Sequence, residues 1–261
     1  MHVSEVLADL QAEQADLDTI VADLDDAQWE LATASPRWTV TDQVAHLTYF
    51  DLAAARAITD PDGFRATVDE LMGSARRGDD GVDDFTLDAV RGLPVGERLG
   101  AWRDGRRALA DAAATLADDD RVPWYGPSMG AKSFLTARLM ECWAHGQDIV
   151  DAVGASRSTT DRLRHIAQLG VITRGWTYAN RRREAPEVDI AVELTGPGGD
   201  TWRWGAADST ERVQGEAVDF CLVVTQRRHL AQTGLTVDGD AAVEWLTMAQ
   251  AFAGPPTDGP Y

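Results

Sequence analysis

Cysteine and lysine are nearly absent from this chain of 261 residues: Cys142 and Cys221 are its two thiols and Lys132 is its one lysine. Two cysteines cannot build a disulfide framework, and each lies in an apolar helical context where a free thiol acts as a small buried hydrophobe. No apolar run approaches the ~20 residues a membrane-spanning helix needs, and the N-terminus lacks the basic-then-apolar order of a secretory signal, so a cytoplasmic protein is expected. Positive charge is scarce. Against 43 Asp and Glu stand 24 Lys and Arg, a formal net charge of −19, which argues against nucleic acid because phosphate binding needs a concentrated basic surface. The acidic excess serves solubility, and arginine in place of lysine is the mark of GC-rich codon usage. There is no Gly-x-Ser-x-Gly elbow. The glycines of Gly196-Pro197-Gly198-Gly199 stand between two expected strands rather than between a strand and a helix, and so read as a hairpin turn, not a dinucleotide loop.

What is present is ordinary globular material, 44% hydrophobic and 26% charged, long enough for two domains or one large one. Val6, Leu7, Leu10, Leu17, Ile20, Val21 and Leu24 recur at helical spacing and predict a first amphipathic helix over about 3–24. Thr39-Val40-Thr41-Asp42 is a capping box, a hydroxyl with an acid three residues on, and predicts a second helix carrying Val44, Leu47, Phe50 and Ala55. A short helix near Phe64 to Met72 and then a loop are expected within the polar segment 60–94, with Arg76 to Gly81 its least structured part. Leu99, Trp102, Leu109 and Leu116 mark a third long helix from about Gly96, and a fourth runs from about Ser133 to Ala152. Between these two, Val122 to Pro127 is a rigid aromatic loop of the kind that anchors a turn or walls a pocket.

Four long helices with short-to-moderate connections predict a four-helix bundle over 1–154. The small, polar stretch Gly154 to Thr160 is the best domain boundary. Beyond it a helical pattern over 161–180 gives way to alternation at Val188, Ile190, Val192 and Leu194, then at Trp202 and Trp204, as in half-buried strands. Helical spacing returns at 217–228 and 241–251, with a short strand at Leu235 to Val237. This part is expected to be a small α+β domain over 160–254, followed by a loose tail, 255–261. His2 is expected to be disordered.

The fourth helix holds the most informative stretch, Arg138-Leu139-Met140-Glu141-Cys142-Trp143-Ala144-His145-Gly146-Gln147-Asp148. Glu141 and His145, four apart, point the same way, and Arg138 and Asp148 fall on that face as well. The surrounding positions are apolar nearly all round, so this is no surface helix, and a buried carboxylate needs a partner, either a metal ion or Arg138. Carboxylate and imidazole can hold a divalent metal, but two ligands are too few. His46, in the second turn of the second helix, is the obvious third, although a lone histidine among apolar neighbours is more often a hydrogen-bonded core residue than a ligand. Cys142 lies about 100° round the helix from Glu141 and should miss the ion. His165 and His229 have no visible nucleophile partner.

Trp38-Thr39-Val40 followed by Val44-Ala45-His46-Leu47, and then Glu141-Cys142-Trp143-Ala144-His145-Gly146-Gln147-Asp148, resembles the mycothiol-dependent maleylpyruvate isomerase family, part of the wider group of DinB-like metal-binding four-helix bundles. The resemblance covers the N-terminal bundle well and the C-terminal part more vaguely. It implies a mainly α, two-domain protein whose metal ligands fall on His46, Glu141 and His145, with zinc the expected ion and mycothiol, a small thiol, as a second cofactor. Such an enzyme would be an isomerase or S-transferase acting on a small electrophilic substrate. A non-catalytic metal or small-molecule binding protein, and a hydrolase using zinc-bound water, share the same site. Asp148 and Arg138 are candidate outer groups holding the ligands, and Arg138, Arg227 and Arg228 are candidate contacts for an acidic substrate. No nucleic acid or membrane partner is expected.

Overall fold

In the computed structural model, which describes residues 2–257 and 259, the chain divides between Ser156 and Arg157 into two compact units. The first is built on helices α1 (Val3–Ala22), α2 (Val40–Thr59), α5 (Val95–Ala113) and α6 (Ala131–Val153). α1 packs on α6, and α2 packs on both α5 and α6. Their shared core draws Leu17 and Val21 from α1, Val44 and Leu47 from α2, Trp102 from α5, and Cys142 and Ile149 from α6. Trp29, from a 3-10 turn between α1 and α2, closes one end of it. All these side chains are no more than 3% exposed, and full burial of each is worth about 1.5–3 kcal/mol in lost water contact.

The capping box at the start of α2 forms as expected. The Thr39 hydroxyl accepts from the Asp42 amide, and the Asp42 carboxylate accepts from the Thr39 amide at 2.8 Å. This fixes where α2 begins, and with it the turn on which His46 sits.

The segment 60–94 departs from the expectation of one short helix and a loop. It holds two helices, α3 (Pro61–Ser74) and α4 (Asp79–Arg91). Gly78, with φ at +79°, makes the turn between them, a conformation that costs glycine little and other residues much. Asp79 and Asp80 then occupy the first turn of α4 and Arg91 its last, the charge order that suits a helix dipole. Leu87 and Val90 are its large buried apolar residues, too few to show as a periodic stripe in sequence. His2 is also ordered: it caps α1, and its Nδ1 lies 2.9 Å from the Asp118 carboxylate.

The second unit is α+β. Its four strands, β3 (Ala191–Thr195), β4 (Thr201–Trp204), β5 (Arg212–Glu216) and β6 (Thr236–Asp238), lie in the order β4-β3-β5-β6; β1 (Arg121–Val122) and β2 (Met129–Gly130) are a two-residue pair in the first unit. The hairpin β3–β4 sets Leu194 against Trp202. β5, which the sequence did not suggest, runs parallel to β3 with Val213 opposite Val192. Val213 is its one buried position, so no alternation announces it. Helices α7 (Leu163–Ile172) and α8 (Arg174–Asn180) replace the single expected helix, and α9 (Ala217–Val224) and α10 (Asp240–Met248) complete the unit. Phe220 and Trp245 meet edge to face in its core at 5.9 Å. The tail is less loose than expected: the Pro255 carbonyl accepts from Gln250, and the Thr257 hydroxyl bonds to Gln226. Residues 258, 260 and 261 lie outside the described residues.

Replacing Thr39 with Ala should cost about 1 kcal/mol, the usual worth of such a cap, seen as a lower urea midpoint, and Thr39→Ser should restore most of it. An unchanged midpoint in Thr39→Ala would mean that the cap does not set the start of α2.

Candidate metal centre

Glu141 and His145 stand one turn apart on α6, and the His145 Nε2 lies 3.0 Å from the Glu141 Oε2. His46 reaches the same carboxylate oxygen from α2, with its Nε2 at 3.5 Å. The two imidazole rings are 4.2 Å apart between centroids. One ligand atom from each of the three residues falls within a group no wider than 4.8 Å. Nearly a hundred residues of chain separate His46 from Glu141, and it is the packing of α2 on α6 that closes the distance. The Glu141 side chain keeps 23% of its surface, His46 16% and His145 11%, so the site is recessed but not sealed.

Burial pushes the His46 imidazole down to about 3, assisted by the neighbouring His145 and opposed by Glu141. Burial alone would raise Glu141, but the hydrogen bonds and charges of His145 and His46 outweigh it and hold the carboxyl well below its ordinary range. The arrangement therefore favours a neutral imidazole and an ionised carboxylate, the protonation states a metal ion requires.

Aromatic side chains line the rest. Trp38 lies 5.1 Å from the His46 ring and 5.9 Å from that of His145, stacked on the latter. Phe50, one turn beyond His46, lies at 4.5 Å. Behind Phe50 stands Tyr125, whose hydroxyl donates to that of Tyr49 at 3.3 Å. The aromatic loop is anchored by Trp124, stacked on Phe64 at 5.5 Å, while Tyr125 backs the wall.

The outer groups are arranged differently from the sequence reading. His145 Nδ1 lies 2.6 Å from Gln43 Oε1, whereas the Asp148 carboxylate stands off at 3.8 Å and accepts from the Ser35 hydroxyl. Arg138 donates to Asp51 at 3.2 Å, both side chains being buried. Arg227 and Arg228 belong to the second unit, where they donate to the carbonyls of Thr225 and Arg227. Cys142 sits in the bundle core, as its place on the helix suggested. His165 is buried on α7, and His229 caps a 3-10 turn. Gln43 escaped the sequence reading. Its signal was an amide one turn before His46 on a helix face otherwise given to Val44 and Leu47.

The depressed His46 has a consequence for stability. Its unfolded form takes up a proton below pH 6.5 and its folded form only near pH 3, so the folded state loses ground as pH falls through that window, by up to about 1.4 kcal/mol per pH unit. Glu141 acts in the same direction, but only below its ordinary value of 4.5. Between pH 7 and pH 5 the metal-free protein should therefore lose thermal stability, and His46→Gln, which cannot titrate, should lose less. Equal losses in the two proteins would show that His46 is not held neutral.

Residues 10–150, which include all three residues of the cluster, match the family described as Mycothiol maleylpyruvate isomerase N-terminal domain. Residues 191–237, from β3 into β6, match one described as Wyosine base formation. Over 253 residues the chain is 44% identical to MT0041 and to Rv0036c, uncharacterized proteins from two strains of Mycobacterium tuberculosis, covering 97% of this chain and 97% of each relative. Among solved structures it is similar to the crystal structure of the mycothiol-dependent maleylpyruvate isomerase, with 17% identity and a TM-score of 0.59 over 91% of this chain and 93% of that one. A histidine-to-alanine mutant of that enzyme gives 15% identity and the same TM-score. At such identity the likeness is one of fold. The domain match spans more than half of the chain and makes it a member of the mycothiol maleylpyruvate isomerase N-terminal domain family.

Proposed function

We propose that this protein is a metal-dependent enzyme, zinc being the expected ion, that uses mycothiol in an isomerase or S-transferase reaction on a small electrophilic substrate. His46, Glu141 and His145 are its metal ligands in this reading. The observation that supports it is the convergence of two imidazoles and a carboxylate from two helices into a recessed group within 4.8 Å, in a chain of this family.

The donor set suits the ion. Ligand atoms at 2.0–2.1 Å from a tetrahedral zinc lie about 3.3 Å from one another, and the two separations at Glu141 Oε2, 3.0 and 3.5 Å, bracket that value. Three protein ligands would be the number found at catalytic rather than structural zinc sites. When bound, the metal supplies a Lewis acid that can hold a thiol as its thiolate near neutral pH.

The chain's own residues do the remainder. Glu141 would contribute one negative charge against the dication, and His46, kept neutral, would supply one ring lone pair. Trp38 and Phe50 exclude water from beside the imidazoles, which strengthens every charge interaction there. The buried Arg138–Asp51 pair ties α6 to α2 next to the ligands, since Arg138 precedes Glu141 by three residues and Asp51 follows His46 by five. An isomerisation would return the thiol unchanged, and a transfer would consume it.

Two measurements test the reading. In His46→Ala and in Glu141→Ala, zinc carried by the purified protein should fall strongly, while His165→Ala should retain it; circular dichroism confirms that each variant is folded. Equal zinc in all three would put the site elsewhere. Zinc-loaded protein should also bind mycothiol, and should turn over an electrophile with or without net thiol consumption according to whether it transfers or isomerises. Absence of both binding and turnover would end the thiol reading, and hydrolysis without added thiol would replace it with metal-assisted hydrolysis.

A further inference from the structure

Gln43 and Thr33 form a short chain of hydrogen bonds that runs from a backbone carbonyl to the metal-facing histidine of α6. The Thr33 hydroxyl donates to the Trp38 carbonyl at 2.9 Å, the Gln43 Nε2 donates to the Thr33 Oγ1 at 2.8 Å, and the Gln43 Oε1 lies 2.6 Å from the His145 Nδ1. Gln43 is fully buried. Its neighbour Thr33 belongs to a strap, residues 31–39, that doubles back on itself through the bridge Ala32–Thr39 and the bond from the Thr33 amide to the same Trp38 carbonyl.

The direction of every bond in this chain follows from its first member. A carbonyl oxygen can only accept, so the Thr33 hydroxyl must spend its proton there. Its lone pairs are then what faces Gln43, and they select the NH2 end of the amide. The oxygen end is thereby turned on His145, where it too can only accept. The Gln43 oxygen therefore takes a hydrogen from Nδ1, and Nε2, which faces the Glu141 carboxylate, is the nitrogen left to give its lone pair to an ion. We infer that the strap, acting through Thr33 and Gln43, sets the tautomer of His145 and so makes its Nε2 the ligating atom. Gln43 and Thr33 are positioning residues, and Thr33 touches none of the three ligands through any bond of this chain. The inference rests on the proposed metal site for its consequence but not for its geometry, which concerns the protein alone. Asp148, at 3.8 Å from the same Nδ1, is the nearby acceptor that could partly substitute if Gln43 were lost, which makes Thr33 the sharper position to alter.

Thr33→Val keeps the shape of the side chain and removes the hydroxyl, freeing the Gln43 amide to turn either end toward His145. Thr33→Ser restores the hydroxyl. Nitrogen-15 NMR of the histidine rings reads the tautomer directly in metal-free Glu141→Ala protein, which lacks the carboxylate that competes for a hydrogen at Nε2. In that background His145 should be protonated at Nδ1 in its neutral form with Thr33 intact and with Thr33→Ser, and should become a mixture of tautomers with Thr33→Val. Zinc affinity, measured by competition with a chelator, should fall about 10-fold to 100-fold in Thr33→Val and in Gln43→Met, the range typical of groups that hold a metal-binding histidine, and should recover in Thr33→Ser. An Nε2-protonated neutral His145 in Glu141→Ala, or an unchanged tautomer when Thr33→Val is added to it, would overturn the inference. A zinc affinity unmoved by Thr33→Val, with the tautomer changed, would overturn its link to the metal. If wild type binds no zinc at all, the proposed function fails while the NMR result still decides the relay.

Discussion

One carboxylate oxygen shared by two imidazoles from different helices is the contact around which the N-terminal unit is arranged. Glu141 Oε2 lies within hydrogen-bonding reach of His145 Nε2 and close to His46 Nε2. Such a cluster in a bundle interior is costly unless each member answers another's charge or gains an ion. Its geometry depends on the register of α2 against α6, and the surrounding structure is spent on holding that register. The capping box at Thr39 sets where α2 starts, and the buried pair Asp51–Arg138 joins the two helices beside the cluster. Asp51 also accepts from Gln14 of α1 at 3.0 Å, so three of the four bundle helices meet at one carboxylate. Leaving either charge of such a pair alone costs roughly 3–5 kcal/mol, which makes sliding of α6 along α2 expensive.

A second layer of order lies in the strap before α2. Trp38 contributes its ring to the face of the site and its carbonyl to the chain of bonds that ends at His145. The indole nitrogen donates to Asp83 of α4 at 3.3 Å, and Asp83 also pairs with Arg37 at 3.1 Å. The helix that interrupts the simple four-helix plan therefore serves the site: α4 supplies the anchor for the aromatic side chain that covers the imidazoles. Its acidic first turn, poor in apolar residues, looks like solvated loop when taken alone, and becomes intelligible only with Arg37 and Trp38 beside it.

Much of the architecture could be read from the chain. Helical periodicity marked α1 and α5 because each buries one long stripe, the capping box marked α2, nearly continuous apolar character marked α6, and alternation marked β3 and β4 because each buries one face. Gly154, which opens the small, polar stretch read as a boundary, takes a left-handed φ of +67° and ends α6. What stayed hidden had a weak local signal. β5 offers a single buried valine and owes its strand conformation to β3, to which it runs parallel. α4 offers little more than Leu87 and Val90.

The same division holds at the site. Spacing by four placed Glu141 and His145 on one face of an apolar helix whatever the rest of the chain did, since that follows from 3.6 residues per turn. The identity of a third residue, His46, was legible as a choice among few histidines, and its distance was not: only the packing of α2 on α6 brings it to 3.5 Å from the carboxylate. The outer partner of His145 was beyond reach from sequence. Asp148 and Gln43 are both near in principle, one by helix spacing and one by fold, and the tertiary structure decides for Gln43 because the strap turns its amide oxygen onto the ring. Local periodicity thus determines which side chains share a face, while the long-range packing of helices and the polarity of hydrogen bonds across them decide which atoms meet.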